Sequence, residues 1–221
     1  QDGTILNGDS LTRIFYFKDI VDVNMNNLTV TNGSSTNNTS GFMNTGGGGI
    51  NVDNTNLALD SVTISYNNAG DGYPGGGIFV RSNNDLSINV QNSIITHNTA
   101  YRGAGISINE NYECRGIFKN TIFSNNISSL VGGGLDAFHQ EIDLESCIFD
   151  SNTANSGGGL YCGSDTILIS NSLFINNYAT DGGGIKYYDG NTDPWKFVII
   201  NSTVINNYEG IQVEGIELKL I

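Results

Sequence analysis

The sequence predicts an all-β fold in which short strands wind into a solenoid. First, a motif in which an Asn or Ser is followed six positions later by an Asn recurs along nearly the whole 221-residue chain. Second, apolar and polar residues alternate on both sides of each copy, as they do in half-buried strands. Third, no segment shows the three- and four-residue apolar spacing of an amphipathic helix, so we expect essentially no helix.

The second Asn of each copy is the most regular residue of the repeat. Successive copies lie 25 to 35 residues apart. That is too short for a four-stranded propeller blade of about 40 residues, but it suits three short strands and three turns. Such coils stack as a parallel β-helix at about 4.8 Å per coil. The predicted asparagine ladder consists of Asn32, Asn67, Asn98, Asn126, Asn152, Asn177 and Asn207.

The repeated residue types are those that build a scaffold. A stacked Asn amide both donates and accepts hydrogen bonds along the axis, whereas a stacked Asp would place like charges together. Phe123, Phe149 and Phe174 each precede a ladder Asn by three residues, which predicts an internal ring stack. Glycine triplets such as Gly182–Gly184 predict a sharp bend where a Cβ would clash with the next coil.

Composition excludes several classes of function. The net charge of −13 and the scattered basic residues argue against a nucleic-acid partner. No run approaches the roughly 18 apolar residues of a membrane span, so we expect no membrane insertion in this segment. Three cysteines are too few for a disulfide framework, which would also need an even number of them. We interpret Cys147 and Cys162 as small buried residues, and Cys114 as a turn residue that could be exposed.

Three copies carry a family resemblance. Phe-x-x-Asn at Phe123–Asn126, Phe149–Asn152 and Phe174–Asn177, joined to Gly-Gly-x-aliphatic, resembles the repeats of chlamydial polymorphic membrane proteins and of other extracellular right-handed parallel β-helix proteins. The resemblance covers about residues 3 to 216. It departs from the chlamydial repeat in having a third Gly where that repeat commonly has Ala.

The resemblance implies an all-β, right-handed parallel β-helix of about seven coils plus a partial N-terminal coil. It also implies an extracellular or cell-surface protein used in display, adhesion or assembly of a surface appendage or filament. Its partners would be other copies of itself, cell-surface proteins or glycans. We expect residues 1–221 to form one domain, either a segment of a longer chain or a stacking subunit, because VEGIELKLI still alternates apolar residues at the C-terminus.

The alternative is a polysaccharide-binding or polysaccharide-degrading β-helix. A glycosidase needs clustered carboxylates, yet the acidic residues fall mainly in variable turns. The Asn-Thr-Asp at 191–193 is similar to part of a polygalacturonase motif whose other elements are missing. Arg81 and Arg102 fall in neighbouring coils without an aligned acidic cluster. We therefore predict no catalytic residues, metal ligands or cofactor; nothing in the spacing supports Ca²⁺.

Residues that differ between copies are the candidates for contacts with partners. Asn37 and Asn38, in the long first turn, are candidate N-glycosylation sites. Tyr178 and Tyr208 occupy equivalent positions and either bind sugar rings or a protein partner, or pack in the turns. His97 and His139 are interpreted as surface residues without metal-ligand spacing. We place any function in the turns near residues 32–46, 68–74, 109–113 and 189–195.

Overall fold

The protein is a parallel β-helix, which confirms the predicted fold class. The computed structural model describes residues 3–36, 46–83, 85–109, 114–138, 141–163, 166–188, 197–214 and 219–220. In these ranges every regular element is a strand, and the strands form three eight-stranded parallel sheets and one two-stranded sheet. This part of the chain includes no helix that could cross a membrane.

Each coil contributes one strand to each of the three large sheets. Sheet A contains β1 Thr4–Asn7, β4 Leu28–Thr31, β7 Thr63–Ser65, β10 Ile94–Thr96, β14 Ile122–Ser124, β18 Ile148–Asp150, β21 Leu173–Ile175 and β24 Thr203–Ile205. Sheet B contains β2 Phe15–Lys18, β5 Ile50–Asp53, β8 Ile78–Arg81, β12 Ile106–Asn109, β16 Leu135–Phe138, β19 Leu160–Gly163, β22 Ile185–Tyr188 and β25 Ile211–Glu214. Sheet C contains β3 Asp22–Asn26, β6 Asn56–Asp60, β9 Leu86–Gln91, β13 Cys114–Lys119, β17 Glu141–Glu145, β20 Ile167–Ser170, β23 Phe197–Ile200 and β26 Lys219–Leu220.

The inward-facing residues of the three sheets form one apolar core along the rod axis. This core runs from Met25 to Ile199 without interruption between coils. In its centre Phe123, Phe149 and Phe174 stack in parallel, with 4.5 Å between successive ring centroids. The stack is a direct result of register, since these residues pair with one another in sheet A. Rings at this spacing are in close contact and contribute dispersion attraction to the core.

Two tight corners in each coil depend on residues in the left-handed backbone region. The corner between sheets C and A is made by residues such as Asn92 (φ 51°), and the corner after sheet A by residues such as His97 (φ 54°). The recurrence of Asn and Ser at these corners follows from their tolerance of that region. Gly158 in the following bend has no room for a side chain: a Cβ there would lie 2.5 Å from the Tyr178 carbonyl oxygen and 2.6 Å from that of Gly183.

A fourth wall lies between the corner after sheet A and the glycine bend. It includes a two-stranded sheet of β11 Thr99–Arg102 and β15 Ile127–Val131. Ala69, Ala100 and Ala104 form a small second core within it. In the central coils, outward residues of sheet B such as Phe79, Ser107 and Asp136 are buried beside this wall, whereas many outward positions of sheets A and C remain open to solvent. Sheets A and C therefore present the accessible faces of the rod.

All three cysteines lie in the interior and form no disulfide. Cys147 and Cys162 are fully buried, and Cys114 is only 2% exposed. The suggestion that Cys114 could be exposed is wrong, because it is the first inward-facing residue of β13 and not a turn residue. Burial raises the pKa of the Cys147 thiol to about 12 and that of Cys162 further still. Both thiols are protonated at neutral pH and poorly reactive.

Candidate functional site

Six predicted ladder residues form one continuous hydrogen-bonded column. In all but the last of them, the Nδ2 donates to the Oδ1 of the residue one coil later at 2.8 to 3.0 Å, and the backbone N–H donates to the same oxygen. The second Nδ2 proton goes to a backbone carbonyl one coil earlier, as from Asn152 to Phe123 at 2.9 Å. These amides are Asn67, Asn98, Asn126, Asn152, Asn177 and Asn207. In the interior of the column every hydrogen-bonding group is used, so it holds the coils together and offers nothing to a ligand.

Asn32 does not belong to this column, so its assignment as a ladder residue is wrong. Val30 pairs with Ile64, which places Gly33 opposite Asn67. The backbone N–H of Gly33 donates to Asn67 Oδ1 at 2.8 Å and begins the column. Asn32 lies at the corner (φ 53°), where its Nδ2 donates to Asn7 Oδ1 at 3.1 Å. The adjacent pair Asn26-Asn27 caused the error, because the corner is formed by Asn27 and counting from Asn26 shifts the copy by one residue.

Arg81 and Arg102 are each paired with an acidic residue of a neighbouring coil. Arg81 Nη2 lies 2.6 Å from Asp53 Oδ2, and Arg102 Nε lies 3.1 Å from Asp136 Oδ2. Each arginine therefore has an aligned carboxylate partner in a neighbouring coil, a pairing that was not predicted from the sequence. Asp136 also accepts a hydrogen bond from Ser107. Complete burial raises the pKa of Asp136, although Arg102 and Ser107 oppose this shift.

Of the other described ion pairs, Lys186 with Asp181 lies within one coil, and the rest join neighbouring coils. Lys186 Nζ lies 3.0 Å from Asp181 Oδ1 and also bonds Glu214. On the open face of sheet C, Lys119 Nζ lies 2.8 Å from Glu145 Oε2. Five of the lysines and arginines whose side chains the structure describes are thus held by carboxylates. None of the five is available as an unpaired base.

One strand presents three carboxylates on the same face. Glu141, Asp143 and Glu145 alternate along β17 and face outward, a grouping on a strand that was not predicted from the acidic residues of the turns. The two outer carboxylates are 3.8 Å from Arg115 Nε and 2.8 Å from Lys119 Nζ. Their side chains are 56% and 45% exposed. A glycosidase acid is held protonated in an apolar pocket, and this strand offers solvated ion pairs instead.

A polar depression lies on the outward face of sheet C in the first coils, and we call it the amide groove. It has a volume of about 450 Å³. Its floor is Ala58 and Ile117, and its walls carry polar side chains. These wall residues are Asn24, Asn26, Asp60, Asn89, Gln91 and Lys119. The groove lies on strands and not in the variable turns, where the sequence analysis placed the contacts.

Exposed aromatic residues form two smaller clusters. Tyr178 and Tyr208 have ring centroids 4.9 Å apart and are 48% and 52% exposed. His97, interpreted as a surface residue, stacks on Tyr66 with 4.7 Å between centroids. Both clusters bring equivalent positions of adjacent coils together.

Several sequence-based proposals lie outside the described residues. They are the candidate glycosylation sites Asn37 and Asn38 with the rest of that turn to residue 45, residues 110–113 of the turn at 109–113, His139, the Asn-Thr-Asp at 191–193 and the whole turn at 189–195. Among the described residues, no group of three or more His, Cys, Asp or Glu side chains has the arrangement of a metal site.

Comparison with known proteins agrees with this geometry. The family described as a right-handed β-helix region matches residues 48–216, about three quarters of the chain. Neither the curated proteins nor the solved structures contain a match to this chain. The matched segment includes the glycine bends, the Phe stack and the Asn column from Asn67 to Asn207. The chain therefore belongs to the right-handed β-helix family.

Proposed function

We propose that this chain is a non-catalytic, extracellular β-helix that acts in cell-surface display or adhesion. The supporting observation is that several basic side chains bond carboxylates of the protein itself. The described side chains of Arg81, Arg102 and Lys186 each bond a carboxylate of a neighbouring coil, which for Lys186 is Glu214. These groups join coils to one another, and a rigid, internally bonded rod suits the presentation of a binding surface away from a cell.

The amide column favours the same role. Each coil contacts its neighbours through saturated hydrogen bonds, so the rod keeps its shape without a metal or a disulfide among the described residues. The net charge of −13 would keep such a surface protein soluble and separate from polyanions. Self-assembly and contact with cell-surface proteins or glycans remain the proposed modes of partnership.

A surface-labelling experiment tests the location. Antibody raised against the purified chain should label intact cells of the source organism as strongly as permeabilised ones. Labelling that requires permeabilisation would contradict the proposal. A cytoplasmic protein of similar abundance serves as the control for cell integrity.

The second candidate function is polysaccharide cleavage, and the carboxylates of β17 are the observation that favours it. Incubation of the chain with neutral and acidic polysaccharides should release no new reducing ends and no unsaturated products. Product formation that disappears in Asp143→Asn would establish the enzyme and overturn the non-catalytic proposal. Asp150→Asn, on the outward face of sheet A, is the matched control.

A further inference from the structure

We propose that the amide groove binds a neutral, hydroxyl-rich oligosaccharide, an inference that rests on the proposed adhesive role and names its ligand class. Three wall amides carry it. Within the described chain, the side chains of Asn24, Asn26 and Asn89 make no hydrogen bond to protein. The neighbouring Asn56 differs, because its Nδ2 donates to Asp22 at 3.0 Å and its Oδ1 accepts from Ser87 N–H at 2.9 Å. The groove therefore has free donors and acceptors on a face whose other amides are occupied.

The register places these free amides around a small apolar floor. Asn24 pairs with Ala58, which pairs with Asn89, which pairs with Ile117. Strands lie about 4.8 Å apart, so Asn24 and Asn89 stand roughly 10 Å apart on either side of the Ala58 methyl group. A sugar ring can lie on such a floor with its C–H face, while its hydroxyl groups bond amides on both sides.

The charge of the groove selects against acidic sugars. Asp60 accepts hydrogen bonds from Asn92 Nδ2 (3.0 Å), Gln91 Nε2 (2.9 Å) and Ser61 Oγ (3.0 Å), and these lower its pKa. The carboxylate is therefore ionised at neutral pH. The cation at the groove, Lys119, is held by Glu145 of the next strand. A uronate or sulfate would meet a negative wall without a free positive partner.

The same geometry disfavours a peptide. Strands β3, β6, β9 and β13 pair through their backbones with one another, so the groove has no open strand edge for an added strand. The floor offers one methyl group and one isoleucine, which is too little for the apolar anchors that peptides use.

Binding experiments on the full chain test this ligand class. The probes are neutral hexasaccharides of β-linked glucose, mannose, galactose and N-acetylglucosamine, with hexagalacturonate and a set of extended decapeptides as comparators. We expect calorimetry to detect binding of at least one neutral probe. The double variant Asn24→Ala/Asn89→Ala and the floor variant Ala58→Leu should each weaken it by about tenfold or more, because each removes bonds or space that the ring needs.

Matched controls separate the groove from the fold. Asn155→Ala removes an exposed amide of the fourth wall, and Ser170→Leu enlarges an outward residue of sheet C four strands away from Ala58. Both should bind the probe as the wild type does. Amide NMR of the wild type gives a second measurement, in which the side-chain signals of Asn24 and Asn89 should shift on titration even if a variant fails to fold.

Four outcomes would overturn the inference. They are absence of neutral-probe binding up to millimolar concentration, equal or tighter binding of hexagalacturonate, binding of a decapeptide at these amides, and groove variants that bind as the controls do. The result is independent of surface labelling. If the groove binds sugar but the protein is found inside cells, the proposed location is overturned and the proposed ligand class stands.

Discussion

Asn152 and Asn89 are the same residue type at different positions of the repeat, and their side-chain amides are used in opposite ways. Asn152 is fully buried, and its amide bonds Phe123, Asn126 and Asn177 at 2.9 to 3.0 Å. Asn89 lies at an outward position of β9, partly exposed, in the wall of the amide groove. An amide saturated by its own protein stabilises a coil, whereas an open one is available to a ligand. Direction in the coil, and not residue type, separates scaffold from site.

Replacing the interior amide should give the largest effect. Asn152→Ala removes the acceptor for two N–H groups of Asn126 and the donor to the Phe123 carbonyl. Leaving several buried polar groups unpaired should lower the free energy of unfolding by about 4 kcal/mol. Urea denaturation measures this, with Asn89→Ala as the control, where we expect a change below about 0.5 kcal/mol. Equal losses in the two variants would refute the contrast.

The Phe stack extends the contrast to apolar residues. Phe149 is fully buried between Phe123 and Phe174, so Phe149→Ala should cost about 3 kcal/mol through lost contacts and a cavity. Its neighbour Ile148 faces outward on the same strand. Ile148→Ala should cost roughly 1 kcal/mol, because less surface is buried there. Denaturation midpoints that rank the two variants in the reverse order would show that the inward face does not dominate stability.

Asp136 allows a test of burial through pH. Burial raises its pKa above the unfolded value of about 3.9. Its contribution is then fully present below that unfolded value and is lost as pH rises through the raised folded pKa. The stability of the wild type relative to Asp136→Asn should fall between pH 4 and the raised pKa. Urea unfolding across this range measures it. A difference that grows with pH would mean that Arg102, and not burial, determines the shift.

The smallest expected effect concerns the reaction of the cysteine thiols with a disulfide reagent. All three thiols are buried, and burial raises the pKa of Cys147 to about 12. We expect no reaction of the native protein with a disulfide reagent at pH 8, and reaction of all three thiols in denaturant. A single fast thiol in the native state, mapped to Cys114 by mass spectrometry, would restore the expectation that this residue is exposed.

Contacts between identical residues that recur at one position of each coil could be predicted from the sequence. Contacts between unlike residues of different coils could not. The Phe stack and the column from Asn67 onward were predictable because identical residues recur at one position. Asn32 was misassigned because two adjacent Asn residues allow two alignments, and only the pairing of Val30 with Ile64 selects one. The partners of Arg81 and Arg102 lie in other coils, across turns of unequal length. The groove could not be predicted from the repeat, because it depends on Ala58 lying between Asn24 and Asn89 on adjacent strands.

The interior amides also give the rod an electrical direction. From Asn67 to Asn177 each amide donates toward the C-terminal end and accepts from the N-terminal side. Their dipoles are therefore parallel and add along the axis, as peptide dipoles do in a helix. The positive end of this array lies toward Asn207 and the negative end toward Gly33. The column therefore contributes partial charges of opposite sign at its two ends, in addition to the charges carried by the surface side chains.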